Sequence, residues 1–447
     1  MIYLLFAILL FITFFTYIAK KDIFHPAFLL AACYSFSCFV AVLNAKEIGR
    51  DIGLTTVFVI SGSVVLFVAP CLLFGNKSND KNIPYRVFNV PKKIKIVFLL
   101  FMLIIDYFYF LYVLDMARKG GYMGGIKNIF TYAQETIYGD DSEASMNFFL
   151  NYGLKIARGI GYMASFELVQ NFVFGRARKE KMSTIILLLT VSSFLFQCLL
   201  STGRTQLIHL FVFMLSIFII LRRRKSNWSL KDNKRIAFIM LLVSAVGLIV
   251  FRIVGVELRG SIYGNTSTTM GTMVKYIAGP IFALDDYLSN VTHSSYFGEE
   301  TLYSLYSFLG KLGFDFKAGA NNLEFVNFSY MGKMTTINVY GAIRRYIYDY
   351  GFLIAPIVIL EGLLFGFLYR KVKNTGCNSF LFLFYAKSIY CLVFFFFEER
   401  LLTDFLTFSN FMTMITMYLL YRLFSQRTVV YNRSITNGGV VQSQLSN

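Results

Sequence analysis

The chain has 447 residues, of which 56% are hydrophobic and 15% charged, with a formal net charge of +18. A soluble domain carries about 25% charged residues, and the apolar residues here form blocks of about twenty, enough for a helix to cross the hydrocarbon core. This composition excludes a soluble globular protein, and the solid apolar blocks exclude an outer-membrane barrel, whose strands alternate apolar and polar residues.

In chain order, the apolar blocks predict an all-α polytopic membrane protein with about eleven transmembrane helices (ten to twelve). Residues 1–447 are expected to form a single integral membrane domain. The first block begins at Ile2 and is followed, not preceded, by a basic pair, so we expect it to remain as an uncleaved span. The predicted spans are 2–19, 24–43, 53–74, 96–115, 147–172, 183–200, 205–221, 236–254, 350–369, 379–397 and 402–421.

Basic residues concentrate on one side of the predicted bundle. Six segments that share a side if eleven spans alternate hold 25 of the 43 Lys and Arg residues but 4 of the 25 acidic residues. The positive-inside rule places this side in the cytoplasm, with the N-terminus outside and a cytoplasmic tail at 422–447. The segments are 20–22, 75–95, 175–181, 222–235, 370–373 and the tail.

The opposite side carries two long connections, a first loop over 116–146 and a main loop over 255–349. Both contain aromatic and apolar residues instead of linker-like sequence. Such stretches predict short amphipathic helices on the bilayer surface, so the protein is expected to work at its outer face.

Arginines on the outer side are candidate anion ligands because the positive-inside bias disfavours them there. Arg204 lies in STGRTQ, at the opening of a helix whose free N–H groups and dipole favour a phosphate. The alternative is an interfacial arginine whose guanidinium reaches the lipid headgroups. Arg252 and Arg259 are seven residues apart, which places both on one face of a continuing helix.

The stretch NVYGAIRRYIYDYG, 338–351, holds a double arginine. Arg345 and Asp349 have the i, i+4 spacing of an intrahelical ion pair. Arg344 has no such local partner, and its neighbours one turn away are Tyr340 and Tyr348. Arg344 is therefore the stronger candidate for binding an anion.

Charged residues also occur inside the predicted spans. Lys155 and Arg158 are expected either to pair with Asp106 across helices or to face a cavity open to the outside. His293, in the main loop, is exposed enough for a general base. The histidines lack metal-ligand spacing, and no nucleotide-binding motif occurs, so no metal, cofactor or nucleic acid is expected.

The arginines and tyrosines together suit a polyprenyl-diphosphate sugar donor. Arginine binds a diphosphate through two parallel hydrogen bonds and stays charged, and tyrosine suits both the faces and the hydroxyls of sugar rings.

Three stretches make the chain resemble the bacterial oligosaccharide repeat-unit polymerases of O-antigen and capsule synthesis. They are STGRTQ, YIAGPIFALDDYL (276–288), and N-x-Y-x3-R-x4-D-x-G, whose residues are Asn338, Tyr340, Arg344, Asp349 and Gly351. The resemblance covers most of the chain.

The resemblance implies a metal-independent glycosyl transfer at the periplasmic face of the inner membrane, within lipopolysaccharide or capsule biosynthesis. The donor would be a growing glycan on undecaprenyl diphosphate, and the acceptor the terminal sugar of one lipid-linked repeat unit. A chain-length regulator and a flippase are further partners that it implies. In this reading Arg204 and Arg344 stabilise the departing diphosphate, His293 and Asp349 are candidate bases, and the substrate-binding residues are Arg252, Arg259, Arg345, Tyr340, Lys155, Arg158 and Asn338.

Two alternatives share these features. An O-antigen ligase would differ only in its acceptor. A flippase or transporter of the lipid-linked oligosaccharide would show short loops on both sides and a charged central cavity. The long main loop weighs against this alternative, whereas the charged residues Lys155, Arg158 and Asp106 inside the spans favour it.

Overall fold

The computed structural model describes residues 1–74, 87–124, 129–130, 132–133, 136, 146–201, 205–226, 228, 233–240, 269–314, 323–374 and 379–425. Helices dominate this part of the chain. Their bounds are α1 Ile2–Lys20, α2 Pro26–Leu43, α3 Ala45–Ile48, α4 Leu54–Leu73, α5 Lys92–Lys119, α6 Phe148–Val173, α7 Lys181–Leu200, α8 Thr205–Lys225, α9 Thr269–Ile277, α10 Gly279–Ser289, α11 Tyr303–Lys311, α12 Ala342–Tyr350, α13 Ile354–Asn374, α14 Phe380–Phe394 and α15 Phe408–Phe424.

Six of these helices, α1, α2, α4, α5, α7 and α8, are long and apolar enough to cross a membrane. Helices α6, α13, α14 and α15 occupy four further predicted spans without meeting that standard, and α14 and α15 have only 15 and 17 residues. Most of the predicted span 236–254 lies outside the described residues. The protein is therefore a multi-pass helical membrane protein, and the number eleven stays a prediction.

The last predicted span, 402–421, begins later than expected. A π-helical turn, Leu401–Phe405, precedes α15, and the Glu399 carboxylate accepts hydrogen bonds from the backbone N–H groups of residues 401, 402 and 403 at 2.6, 2.8 and 2.9 Å. This carboxylate satisfies donors that the start of a helical segment leaves unpaired.

The prediction of an all-α fold is wrong for one segment of the main loop. Strands β1 (Val326–Tyr330) and β2 (Lys333–Ile337) form an antiparallel hairpin in which Tyr330 pairs with Lys333. The turn residues Met331 and Gly332 both have positive φ, as a two-residue hairpin turn of type I′ requires. The other described elements of that loop are the short helices α9 to α12.

The chain forms two compact units. The first comprises 1–76, 265–370 and 388–411, and the second 77–264, 371–387 and 412–447. In the first unit, α1 packs on both α2 and α4. The aspartates of YIAGPIFALDDYL join α10 to this helical layer: Asp285 accepts hydrogen bonds from Gly53 N at 2.7 Å and Thr56 Oγ1 at 2.5 Å, and Asp286 pairs with Arg50 at 2.9 Å.

Helix α13 approaches α4 closely in the first unit through Gly362 and Gly366. A Cβ at Gly362 would overlap the carbonyl oxygen of Phe67, and one at Gly366 would lie 3.1 Å from Cys71 Cα. The sequence GLLFG is thus a small-xxx-small contact, which lets two membrane helices bring their backbones together.

We expect Gly362→Leu to separate α13 from α4, because the backbone of Phe67 cannot move aside as a flexible side chain can. Overpacking costs about 1–3 kcal/mol or more, so the melting temperature and the yield of monodisperse full-length protein in detergent should both fall. Gly62→Leu in α4 is the matched control, since its Cβ meets nothing within 4 Å. Equal melting temperatures for the two variants would contradict this packing.

The second unit buries polar contacts within its own helices. Lys95 pairs with Glu167 at 2.5 Å and donates to Ser183 Oγ at 2.6 Å. Asp106, expected to pair with Lys155 or Arg158, accepts hydrogen bonds from Ser193 Oγ at 2.5 Å and Gln197 Nε2 at 2.7 Å. Neutral donors from α7 thus solvate the Asp106 carboxylate, which corrects the expectation that a cation from α6 does so.

Candidate active site

The double arginine of 338–351 lies on α12, a short helix fixed to the connection between α14 and α15. Ala342 N donates to Phe395 O at 2.9 Å, and Gly341 N donates to Phe397 O at 3.0 Å. Gly341 has a φ of 78°, and a Cβ there would lie 3.1 Å from Phe396 O. Only glycine fits this conformation and close approach easily, so the glycine fixes where α12 starts.

Arg344 is buried and has a partner that lies far away in the sequence. Its Nη1 atom contacts both carboxylate oxygens of Glu300. The sequence predicted that Arg344 has no acidic partner one turn away, and this holds within α12. The partner is instead Glu300, whose carboxylate comes from the main loop. Arg344 is therefore not a free cation in this structure.

Three tyrosine rings surround the Arg344 guanidinium. Its Cζ atom lies 4.9 Å from the ring centroid of Tyr287, 5.5 Å from that of Tyr340 and 4.8 Å from that of Tyr348. The predicted neighbours Tyr340 and Tyr348 are confirmed as contacts, and Tyr287 joins them from α10. Burial raises the pKa of each of these phenols, so they remain neutral and present polarisable faces to the cation.

Arg345 and Asp349 contact other groups in place of the predicted intrahelical ion pair. Arg345, only 1% exposed, lies 3.3 Å from Glu398 through Nη2 and 3.7 Å from Glu300 through Nη1. The Asp349 carboxylate accepts hydrogen bonds from Glu300 N at 3.0 Å, Thr301 N at 2.7 Å and Thr301 Oγ1 at 2.6 Å. Asp349 therefore holds the turn that presents Glu300 to the arginines.

A second acidic group lies against the same helix. The Tyr346 hydroxyl donates to Glu361 of α13 and lies 3.3 Å from Glu399 Oε1, and Glu398 binds Arg400 at 2.5 Å. Burial raises the pKa of Glu399. The arginine cluster is thus surrounded by carboxylates.

Sequence reasoning missed Glu300, Glu398 and Glu399, which complete the site. Two signals were present: the pair in FGEE within the main loop, and the triplet EER, which interrupts two apolar blocks. Charged residues between membrane-spanning blocks on the same side as unexplained arginines are natural partners for them. The distance in sequence concealed the pairing.

The remaining predicted residues fall into three groups. His293 is exposed and precedes Ser294, whose N–H donates to Tyr348 O at 2.9 Å, and Asn338 is half-buried in the segment leading to α12. Lys155 and Arg158 lie on α6 in the second unit, where Lys155 Nζ lies 4.5 Å from the centre of the Tyr152 ring. Arg204, Arg252 and Arg259 lie outside the described residues.

The first unit therefore brings together Arg344, Arg345, Tyr340 and Asp349, with His293 and Asn338 on adjoining segments. Among the residues that the structure describes, no cluster of three or more His, Cys, Asp or Glu could hold a metal ion. What the site offers is guanidinium groups, neutral phenols and buried carboxylates. These groups suit anion binding and proton transfer.

The fold and site define a multi-pass helical membrane protein with a buried arginine–carboxylate cluster enclosed by tyrosines. The chain is similar to a protein of Escherichia coli (strain K12) described as "Putative O-antigen polymerase", with 26% identity over 417 residues that cover 90% of this chain and 94% of the relative. This similarity confirms the predicted resemblance to the O-antigen polymerase family. No family model and no solved structure matches the chain.

Proposed function

We propose that the protein polymerises undecaprenyl-diphosphate-linked oligosaccharide repeat units by glycosyl transfer at the periplasmic face of the inner membrane. The observation that carries the proposal is the tyrosine-enclosed Arg344, placed beside Arg345 in a chain similar to an O-antigen polymerase along nearly its whole length. Guanidinium groups bind phosphate oxygens through paired hydrogen bonds, and tyrosine rings stack on sugars.

The reaction does not require the protein to form a covalent bond with the substrate. The acceptor hydroxyl attacks the anomeric carbon of the donor, and the lipid diphosphate leaves with its electron pair. Because the diphosphate is already a good leaving group, positioning and stabilisation of its growing negative charge should supply most of the rate enhancement. We assign that stabilisation to Arg344, with Arg345 as its helper, and to Arg204 and its helper Arg259, both predicted from the sequence.

Contacts within each unit support the proposed arrangement across the membrane. In the first unit, the N-terminal amine binds Asp51 and Arg50 binds Asp286, which joins segments assigned to the outer side. In the second, Lys95 binds Ser183 and Lys225 donates to Val173 O at 3.0 Å, which joins segments assigned to the cytoplasm. These contacts agree with the predicted grouping of segments on two sides, and the positive-inside rule assigns the basic side to the cytoplasm.

A deletion strain tests the proposal directly. The gene is removed, and the lipopolysaccharide and capsule are separated on gels. We expect lipid A core carrying a single repeat unit, or loss of polymeric capsule, with full length restored by the wild-type gene. Loss of even the single attached unit would contradict a polymerase and favour a flippase or ligase.

A further inference from the structure

Glu300 occupies the position that an anionic ligand of the two arginines would take. It is 7% exposed, its two oxygens contact Arg344 Nη1, and one lies 3.7 Å from Arg345 Nη1. The Asp349 carboxylate holds the backbone N–H groups of Glu300 and Thr301, so the loop cannot drift freely. A fixed carboxylate thus neutralises the cations in the resting protein.

A diphosphate can take over this position. Carboxylate and phosphate oxygens bind a guanidinium in the same forked geometry, and a diphosphate brings more negative charge. When Arg344 turns to the diphosphate, the buried Glu300 carboxylate loses its main counter-ion. An unpaired carboxylate in a buried site is costly, and gaining a proton relieves that cost.

We propose that Glu300 is the proton acceptor of the transfer, released from Arg344 when the donor diphosphate binds; this rests on the proposed function. The acceptor O–H bond breaks and its proton passes to a Glu300 carboxylate oxygen. The acceptor oxygen bonds to the anomeric carbon, whose bond to the phosphate oxygen breaks. The electron pair leaves with the lipid diphosphate, bound to Arg344 and Arg345, so charge and atoms balance without a metal or redox partner.

The other carboxylates of the cluster are engaged elsewhere. Asp349 accepts three hydrogen bonds from residues 300 and 301, which makes it a positioning residue for Glu300. Glu398 contacts both Arg345 and Arg400, and Glu399 accepts three backbone N–H groups. Glu300, by contrast, is bound by the Arg344 guanidinium, which would also bind the diphosphate of the proposed substrate.

Burial raises the pKa of Glu300 above the ordinary value of 4.5, although Arg344 opposes the rise. The charged and titratable groups facing it are Arg344, Arg345, Asp349 and Tyr348 of α12, with Tyr287 and Tyr340. A base acts only when deprotonated, so the turnover rate should fall as pH decreases through a pKa above 4.5. Glu300→Asp, which keeps a carboxylate but shortens its reach, should remain active at a reduced rate and move this acidic limb.

The test uses full-length protein in lipid nanodiscs with two readouts: binding of undecaprenyl diphosphate, and polymerisation of repeat-unit lipid extracted from the deletion strain. We expect Glu300→Gln to bind undecaprenyl diphosphate as tightly as wild type or more tightly, because the competing charge is gone. Its polymerisation rate should fall about 100-fold or more, the usual contribution of a general base. Asp115→Asn, which removes the charge from the exposed i, i+4 pair with Lys119 on α5, is the matched control and should retain both activities.

Each other outcome identifies a different failure. Polymerisation by Glu300→Gln within about threefold of wild type would show that the proton goes elsewhere. Loss of undecaprenyl diphosphate binding by folded Glu300→Gln and Glu300→Asp would make Glu300 a structural partner of Arg344 and overturn the exchange. If wild-type protein neither binds this lipid nor forms polymer, the proposed function fails, and the inference fails with it.

Discussion

Replacing Arg344 with alanine is expected to reduce polymer formation about 100-fold or more, the cost of removing a preorganised donor from a developing oxyanion. The Arg344 guanidinium is buried and is held among the rings of Tyr287, Tyr340 and Tyr348. The measurement is the length distribution of surface polysaccharide in the deletion strain complemented with each variant, with protein levels followed by immunoblot.

Arg344→Lys separates charge from geometry in the same experiment. Lysine keeps a positive charge for Glu300 and so should preserve folding, but it cannot form two parallel hydrogen bonds to a phosphate. We expect normal protein levels and short or absent polymer. Arg118→Ala, an exposed arginine at the end of α5, is the control and should give a wild-type ladder. A wild-type ladder from Arg344→Ala would exclude this arginine from the chemistry.

Asp349→Ala is expected to cost the most in stability. The substitution leaves the buried backbone N–H groups of Glu300 and Thr301 without their acceptor, and each unsatisfied buried group costs about 1–3 kcal/mol. The melting temperature should drop strongly, and the Glu300 turn should become accessible to protease.

Asp349→Asn distinguishes this interpretation from an ion pair with Arg345. An asparagine oxygen still accepts one or two of the three hydrogen bonds, so its melting temperature should lie between those of wild type and Asp349→Ala. Asp115→Ala, which breaks an exposed i, i+4 pair with Lys119 on α5, should change the melting temperature little. Similar shifts for Asp115→Ala and Asp349→Ala would contradict the buried role of Asp349.

The apolar runs predicted the six described helices that are long and apolar enough to cross a membrane, because such a helix requires a continuous apolar run of about twenty residues. Periodicity and charge also identified the double arginine and its aromatic neighbours one turn away, Tyr340 and Tyr348. Contacts within one helix turn follow from spacing alone.

The rest of the site depends on residues that are neighbours only after folding. Glu300 and Arg344 are 44 residues apart, and Glu398 and Arg345 are 53 apart, so no local spacing indicates either pair. The same limit explains the misassigned partner of Asp349: i, i+4 spacing favours Arg345, but the main-chain donors at 300 and 301 offer a buried carboxylate more hydrogen bonds. The hairpin was missed because its two strands are short and lie within a loop rich in aromatic residues.

The attachment of α12 to residues 395–397 has a consequence for biogenesis. The helix that carries the arginines is synthesised about fifty residues before the backbone carbonyls that receive its first N–H groups, and Glu398 follows them. During synthesis, Arg345 therefore lacks the Glu398 carboxylate until the segment between α14 and α15 has been made. A nascent chain that ends before residue 395 would lack both the carbonyl groups that accept the first N–H groups of α12 and the Glu398 carboxylate.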